Sequence, residues 1–309
     1  MSRQKLINAN HKIQKVLLYG ATGMLGTRFR ELSRDKFKIV GPPHSHLDLT
    51  NKKQLKNNLL DVMPNKVIYA AGITKIDYAQ QNSKEAFKLN YEIPEFLVKV
   101  CAKHDISLIY ISTDAVFDGT NANKPHKETS KPKAVSVYGK SKLKGEKTVL
   151  SASLNNTVIR TVMIYSAIFP HRKDFARAAY ESLKNKIPFA GIVDQEVNPT
   201  FVDDIVDAIN IIITNNSHGI FHVAATDHLT NYEFVRKIAK AFGFAENLIV
   251  KTKFDEFFSN NKAPRAKYSA LDSTKFRKQF GERILKSTNR NISEFKKQIS
   301  RSAGFPIDV

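Results

Sequence analysis

Short apolar runs rich in β-branched residues alternate with longer stretches of helical periodicity through the first half of the chain. The runs 16–19, 37–40, 67–70, 108–112 and 157–161 are apolar on both faces, as buried parallel strands are. Between them, residues 25–32, 53–60, 85–101 and 138–150 repeat their apolar positions at helical spacing. This alternation predicts an α/β fold, a Rossmann-like, doubly wound parallel sheet covered by helices on both faces. Beyond about residue 165 the pattern changes. Helices are predicted at 174–185, 203–214, 232–242, 273–280 and 292–302, with strands at 219–223 and 248–251. Residues 121–132 and 258–267 read as polar, proline-containing loops. The division that follows is a dinucleotide-binding part over 1–165, joined by 192–228. A smaller α/β substrate-binding part takes 166–191 and 229–309.

Composition narrows the class. The 309 residues include 49 Lys+Arg and 29 Asp+Glu, a formal net charge of +20. Residues 1–60 hold 12 basic and 3 acidic side chains, and residues 240–309 hold 15 and 7, so the excess sits at the two ends. Such a balance fits nucleic acid, an anionic membrane or an anionic small molecule. No groove-reading or aromatic-rich basic module accompanies it, and no apolar run reaches the ~20 residues of a membrane span. Neither nucleic acid nor membrane is therefore an expected partner. One cysteine, Cys101, lies on an apolar helix face and reads as core; it excludes a disulfide framework and fits a reducing cytoplasm. The nine histidines show no metal-ligand spacing, and no metal site is expected. His44 and His46 read as a solvated pair.

Three motifs carry chemistry. Gly20-Ala21-Thr22-Gly23-Met24-Leu25-Gly26 follows a strand and opens a helix, where glycines admit a pyrophosphate to free N–H groups. The second strand ends Val40-Gly41-Pro42-Pro43, without the acid that would bond a ribose 2′-hydroxyl. Arg28, Arg30 and His44 lie nearby, which favours NADP(H) and leaves NAD(H) open. Tyr138 and Lys142 are four apart, on one face of a helix. An ammonium near a phenol favours the phenolate, so the pair suits proton transfer to a carbonyl oxygen. The strand ending Ile111-Ser112-Thr113-Asp114 adds a hydroxyl that can bond the same oxygen. Of the paired acids Asp203 and Asp204, one is expected to cap the following helix.

In these motifs the chain resembles the dTDP-4-dehydrorhamnose reductases, a nucleotide-sugar branch of the extended short-chain dehydrogenases/reductases. Also matching are Asp48-Leu49-Thr50, Ala70-Ala71-Gly72, the run from Ser112 to Gly119, Arg160-Thr161 with Tyr165, and Asp194-Gln195. Further along come Pro199-Thr200, Pro264-Arg265 and Ser269-Ala270-Leu271-Asp272. The resemblance implies a catalytic Thr113, Tyr138 and Lys142. It implies a cofactor held by Gly20, Thr22, Gly23, Met24, Leu25, Asp48, Leu49, Ala70, Ala71 and Gly72, besides Tyr138 and Lys142. Substrate would meet Thr113, Asp114, Ala115, Met163 and Arg265. Asn90 resembles a helix asparagine that supports the site in the wider superfamily. Two positions depart: Ala115 stands where the family has tyrosine, and Met163 where it has tryptophan. Both alter the sugar pocket. The implied reaction is NAD(P)H-dependent reduction of the 4-keto group of a nucleotide-linked 6-deoxyhexose. The resemblance extends to the β subunit of methionine adenosyltransferase, a non-catalytic alternative, and a related epimerase is a further one. A homodimer is left open.

Overall fold

The computed structural model describes residues 13–122, 124–169, 173–259 and 262–302. Met1–Asn10, part of the basic N-terminal segment, and the last residues of the chain lie outside it. Six parallel strands form the main sheet: β1 (Lys15–Tyr19), β2 (Lys38–Val40), β3 (Lys66–Tyr69), β4 (Ser107–Thr113), β5 (Thr157–Thr161) and β10 (Gly219–His222), in the order β10-β5-β4-β3-β1-β2. The chain steps from β1 out to β2, then returns past β1 to β3, β4 and β5. The direction reverses between β1 and β3, and the carboxyl ends of those two strands open the crevice where such sheets take ligands.

Side chains leave the strands alternately to two cores. On one face Val16, Leu18, Ile68, Ile109, Ile159 and Phe221 pack on Phe29 of α1 (Met24–Ser33), Ile205 and Ile209 of α8 (Val202–Thr214) and Phe276 of α11 (Thr274–Phe280). On the other, Leu17, Tyr19, Val67, Tyr69, Leu108, Tyr110 and Val158 meet α2 (Lys52–Val62), α5 (Ile93–Ala102) and α6 (Val137–Ala152). Cys101 is in this second core, where burial pushes its thiol up to about 12. The helix expected over 85–101 runs from α4 (Ser83–Phe87) into α5 with a π-helical turn, Lys88–Glu92, between them. A short helix, α3 (Ile76–Gln81), precedes it and was not legible in the pattern.

A third core joins α7 (Phe175–Lys184), α9 (Asn231–Phe242) and α12 (Thr288–Ser302) around Tyr165, Phe201, Phe234 and Phe295. Three two-stranded sheets border it. β6 (Ile164–Tyr165) pairs with β9 (Thr200–Phe201), β8 (Glu196–Val197) with β11 (Leu229–Thr230), and β7 (Phe189–Ile192) with β12 (Ile249–Thr252). A single turn, α10 (Phe254–Phe257), follows β12.

Three expectations change. Neither Asp203 nor Asp204 caps α8; the cap is Phe201, and both acids lie in the first turn, where the helix dipole also favours them. Asp204 is fully buried and takes Lys286 Nζ at 2.5 Å and Asn291 Nδ2 at 2.9 Å. Arg28 is no free cation for a cofactor: it is buried and grips both oxygens of Asp203, at 2.6 and 2.7 Å, and Glu31 at 2.7 Å. The stretch 121–132 is not simply an exposed loop. His126 is buried, stacks on Phe117 at 4.0 Å and exchanges backbone bonds with Ala270 and Asp272. The same stretch sends Glu128 to the sheet edge. Its Oε1 accepts from the His222 N–H at 2.9 Å, while Lys275 Nζ donates to the Ile220 carbonyl at 2.7 Å.

Candidate active site

The glycine turn occupies the carboxyl end of β1. Gly20 has φ +90°, and a Cβ there would lie 2.6 Å from the carbonyl carbon of Ala70. A Cβ on Gly26 would lie 2.1 Å from the Gly20 carbonyl oxygen. Both positions therefore require glycine if α1 is to start so close to β1 and β3. Gly23 is the N-cap of α1 and makes no side-chain cap, so the first N–H groups are left to an incoming acceptor. Thr22 and Gly23 are exposed, Met24 is half-buried, and Leu25 is turned into the core.

Neighbouring strand ends complete a cradle. Ala70, Ala71 and Gly72 continue from β3 and are half-exposed. Asn90 pins the next residue: its Oδ1 accepts from the Ile73 N–H and its Nδ2 donates to the Ile73 carbonyl, each at 3.0 Å. The same Nδ2 reaches Ser141 Oγ on α6 at 3.0 Å. Asn90 is thus fully buried and fully used, and it ties the β3 end to the helix of Tyr138. Beyond β2, Arg30 is exposed, and its Cδ lies 3.5 Å from where a Gly41 Cβ would stand. Asp48 is exposed and holds Thr50 at 2.8 Å, with half-buried Leu49 between them.

The Tyr–Lys helix starts with a Ser136 cap, whose hydroxyl accepts from the Gly139 N–H at 3.1 Å. A glycine there lets the helix approach the Ala115 carbonyl; a Cβ would lie 2.0 Å from that oxygen. Tyr138 is buried at 8% exposure and packs with Ile73, Ala79 and Ala115. Lys142 is buried one turn on. Its Nζ donates to the Ile111 carbonyl at 2.5 Å and lies 4.0 Å from the Tyr110 ring centroid. Burial pushes its ammonium down to about 7, partly offset by the charge of Glu146. Of the two strand-end hydroxyls, Ser112 donates to Glu146 at 2.5 Å and is committed. Thr113 Oγ1 donates to Asp114 at 2.9 Å and accepts from the Ala115 N–H at 3.2 Å. Burial raises the Asp114 carboxyl above its usual range, against hydrogen bonds from Ser269 and Thr113.

Of the residues expected to meet substrate, Ala115 shares the Tyr138 cluster, and Met163 bridges the core of Val116, Phe117 and Val162 to that of Tyr165. Met163 has φ +41°, a left-handed backbone conformation unusual for a long side chain. Arg265 crosses to α3, where it meets Asp77 at 2.5 Å and stacks over Phe258 at 4.5 Å. The Ala263 N–H joins the same carboxylate at 2.9 Å. The Arg265 hydrogen bond holds the Asp77 carboxyl below its usual range. Lys267 is paired with Asp194 at 2.6 Å. Sequence reasoning missed Asp77, Glu146 and His222, and it named Arg160 only as a matching position, without a role. Of the three missed, Glu146 left a signal, by its spacing of four from Lys142.

Among the described residues no group of three or more His, Cys, Asp or Glu stands together to hold a metal ion, and no helix is long and apolar enough to cross a membrane. The sheet order, the glycine turn at its reversal and the buried Tyr–Lys helix define a Rossmann-like α/β protein. Residues 14–299 match the RmlD substrate binding domain family, and the chain belongs to that family. It is 28% identical over 278 residues to the dTDP-4-dehydrorhamnose reductase of Aggregatibacter actinomycetemcomitans, covering 86% of this chain and 93% of that one. It is also 28% identical over 243 residues to methionine adenosyltransferase 2 subunit beta of Bos taurus, covering 74% and 72%. The crystal structure of dTDP-4-dehydrorhamnose reductase from Bacillus anthracis in complex with NADP superposes with a TM-score of 0.85 at 26% identity, over 93% of this chain and 99% of that one.

Proposed function

We propose that the protein reduces the 4-keto group of a nucleotide-linked 6-deoxyhexose with NAD(P)H, as its reductase relatives are named for doing with a dTDP-sugar. The observation that carries this is the buried Tyr138–Lys142 pair of α6, with Lys142 Nζ on the Ile111 carbonyl two residues before Thr113 ends β4. Tyr138 donates the proton to the carbonyl oxygen. Thr113, whose backbone is fixed by β4, orients that oxygen. Lys142 supplies the positive charge that makes the phenol a better acid. The close Gly20–Ala70 approach and the uncapped start of α1 suit a pyrophosphate, so the residues present fit a dinucleotide. When bound there, a reduced nicotinamide supplies hydride. Arg30 beside Gly41, with no acid at the β2 end, supports NADP(H) over NAD(H) through the 2′-phosphate.

In this reading residues 1–165 with 192–228 hold the cofactor, while 166–191 and 229–309 cover the sugar nucleotide. Ala115 and Met163 reshape the sugar pocket. The reaction is assigned to the cytoplasm in this reading, which the single cysteine fits. The test follows NADPH absorbance with a dTDP-4-keto-6-deoxyhexose. Wild-type protein consumes NADPH, and Tyr138→Phe loses about 100- to 10,000-fold in kcat while still binding NADPH. Retained activity in that variant would remove Tyr138 from its role. The similarity to the methionine adenosyltransferase subunit favours a second reading, a cofactor-binding regulatory subunit. Binding of NADPH without turnover, together with capture of a methionine adenosyltransferase catalytic subunit, would establish it.

A further inference from the structure

Behind the Thr113–Tyr138–Lys142 group lies a row of polar side chains with no part in the proton transfer just described. Ser112 of β4 and His222 of β10 are both register partners of Arg160 on β5, so the three side chains leave one face of the sheet at one level. Glu146, one turn beyond Lys142 on α6, covers the row. Its carboxylate takes Ser112 Oγ at 2.5 Å and the Arg160 guanidinium at 2.9 and 2.7 Å. Arg160 then reaches His222 Nε2 at 3.3 Å. A guanidinium only donates, so Nε2 accepts and the Nδ1–H points to the His126 carbonyl, 2.9 Å away. Burial, with Arg160 alongside, pushes His222 down to about 3 and keeps it neutral.

The side chains of Glu146 and Arg160 are each 2% exposed. A buried ion pair is weak evidence for stability, since apolar residues of the same volume serve as well or better. Its location gives it another role. We propose that Glu146 is a positioning residue: clamped by Arg160, it draws Ser112 and the end of β4 onto α6, setting Thr113 against Tyr138 and Lys142. The proposal rests on the reductase reading above. Lys142 makes the companion contact, to the Ile111 carbonyl. Residues 111 and 112 are thus both tied to α6, by side chains one turn apart, and the orienting hydroxyl of Thr113 is on the next residue. The groups facing Lys142 and its surroundings are Tyr110 on β4, Tyr138 and Glu146 on α6, and, behind Glu146, Arg160 on β5 and His222 on β10. Glu146 acts on Lys142 to favour its charged form.

The test reads Lys142 by NMR in protein with isotope-labelled lysine, the signal assigned from Lys142→Met, beside kinetics with NADPH and the keto-sugar nucleotide. Glu146→Gln is expected to lower kcat about 10- to 100-fold, to leave NADPH affinity in place and to shift the Lys142 midpoint downward. Ser112→Ala keeps the ion pair and is expected to lower kcat about tenfold with the Lys142 midpoint unmoved. A Glu146→Gln protein with unchanged kcat overturns the proposal, whatever its Lys142 midpoint. If that variant does not fold, Ser112→Ala decides, and full activity there overturns it. A wild type that reduces no keto sugar sinks the reductase reading; amide hydrogen exchange at residues 112–114 in Glu146→Gln then decides this one, faster exchange supporting it and unchanged exchange overturning it.

Discussion

Burial pushes the Lys142 ammonium down to about 7 from an ordinary value near 10.5. The folded state therefore binds fewer protons than the unfolded chain between those values, and stability rises with pH across that window. Below about 7 the full cost of burying the charge applies. Lys142→Met is accordingly expected to abolish turnover and to raise the melting temperature at about pH 6, a gain that shrinks toward about pH 9; thermal melts of both proteins across that range check it. Arg30 carries the cofactor prediction. Arg30→Ala is expected to weaken NADPH binding about 10-fold while leaving NADH nearly unchanged, read by fluorescence titration. The placement of Tyr138 and Lys142 on one helix and of Thr113 at a strand end was legible in the sequence, because a four-residue spacing and a strand end are local features. Arg28 misled because its partner Asp203 is 175 residues away. Nothing local distinguishes a surface arginine from one gripped across the fold.

The strands of the main sheet and the long helices were legible because a strand buried on both faces needs an unbroken apolar run. β6, β8, β9 and β11 have two residues each, too few to show a period. The π-helical turn at Lys88–Glu92 leaves no compositional mark either, yet it carries Asn90 into the core beside Ile73 and Ser141. The packing of α6 on β4 is set by a small residue. A Cβ on Gly145 would lie 2.3 Å from the Asn90 carbonyl oxygen and 2.6 Å from the Tyr110 hydroxyl. Tyr110 is itself bonded to that carbonyl, at 2.5 Å, so neither neighbour is free to give way. Gly145→Ala is expected to push α6 outward and cost about 1–3 kcal/mol. It should also lower kcat more than it raises KM for NADPH; urea unfolding and steady-state kinetics together test this.

The main sheet and the third core are tied at α8, which packs on the sheet and sends its first-turn acids to both sides. Asp203 holds Arg28 of α1 and Gln298 of α12, and Asp204 holds Lys286 and Asn291. Asp204→Ala leaves Lys286 without its buried partner and is expected to cost about 3–5 kcal/mol, with denaturation monitored by circular dichroism. The division into a cofactor part and a sugar part was drawn from a change in pattern near residue 165. The ties between them were not visible, since every partner lies in a different part of the chain. The terminal charge excess is partly resolved: Arg28, Arg265, Lys267 and Lys286 are each paired with an acid. The covered edge of β10 has a consequence for assembly. An open edge invites another strand to add to the sheet, but at β10 Glu128 already occupies an outward N–H and Lys275 an outward carbonyl. A second copy meeting that side would find part of the strand's outward hydrogen-bonding row already taken, which disfavours adding a seventh strand beside β10.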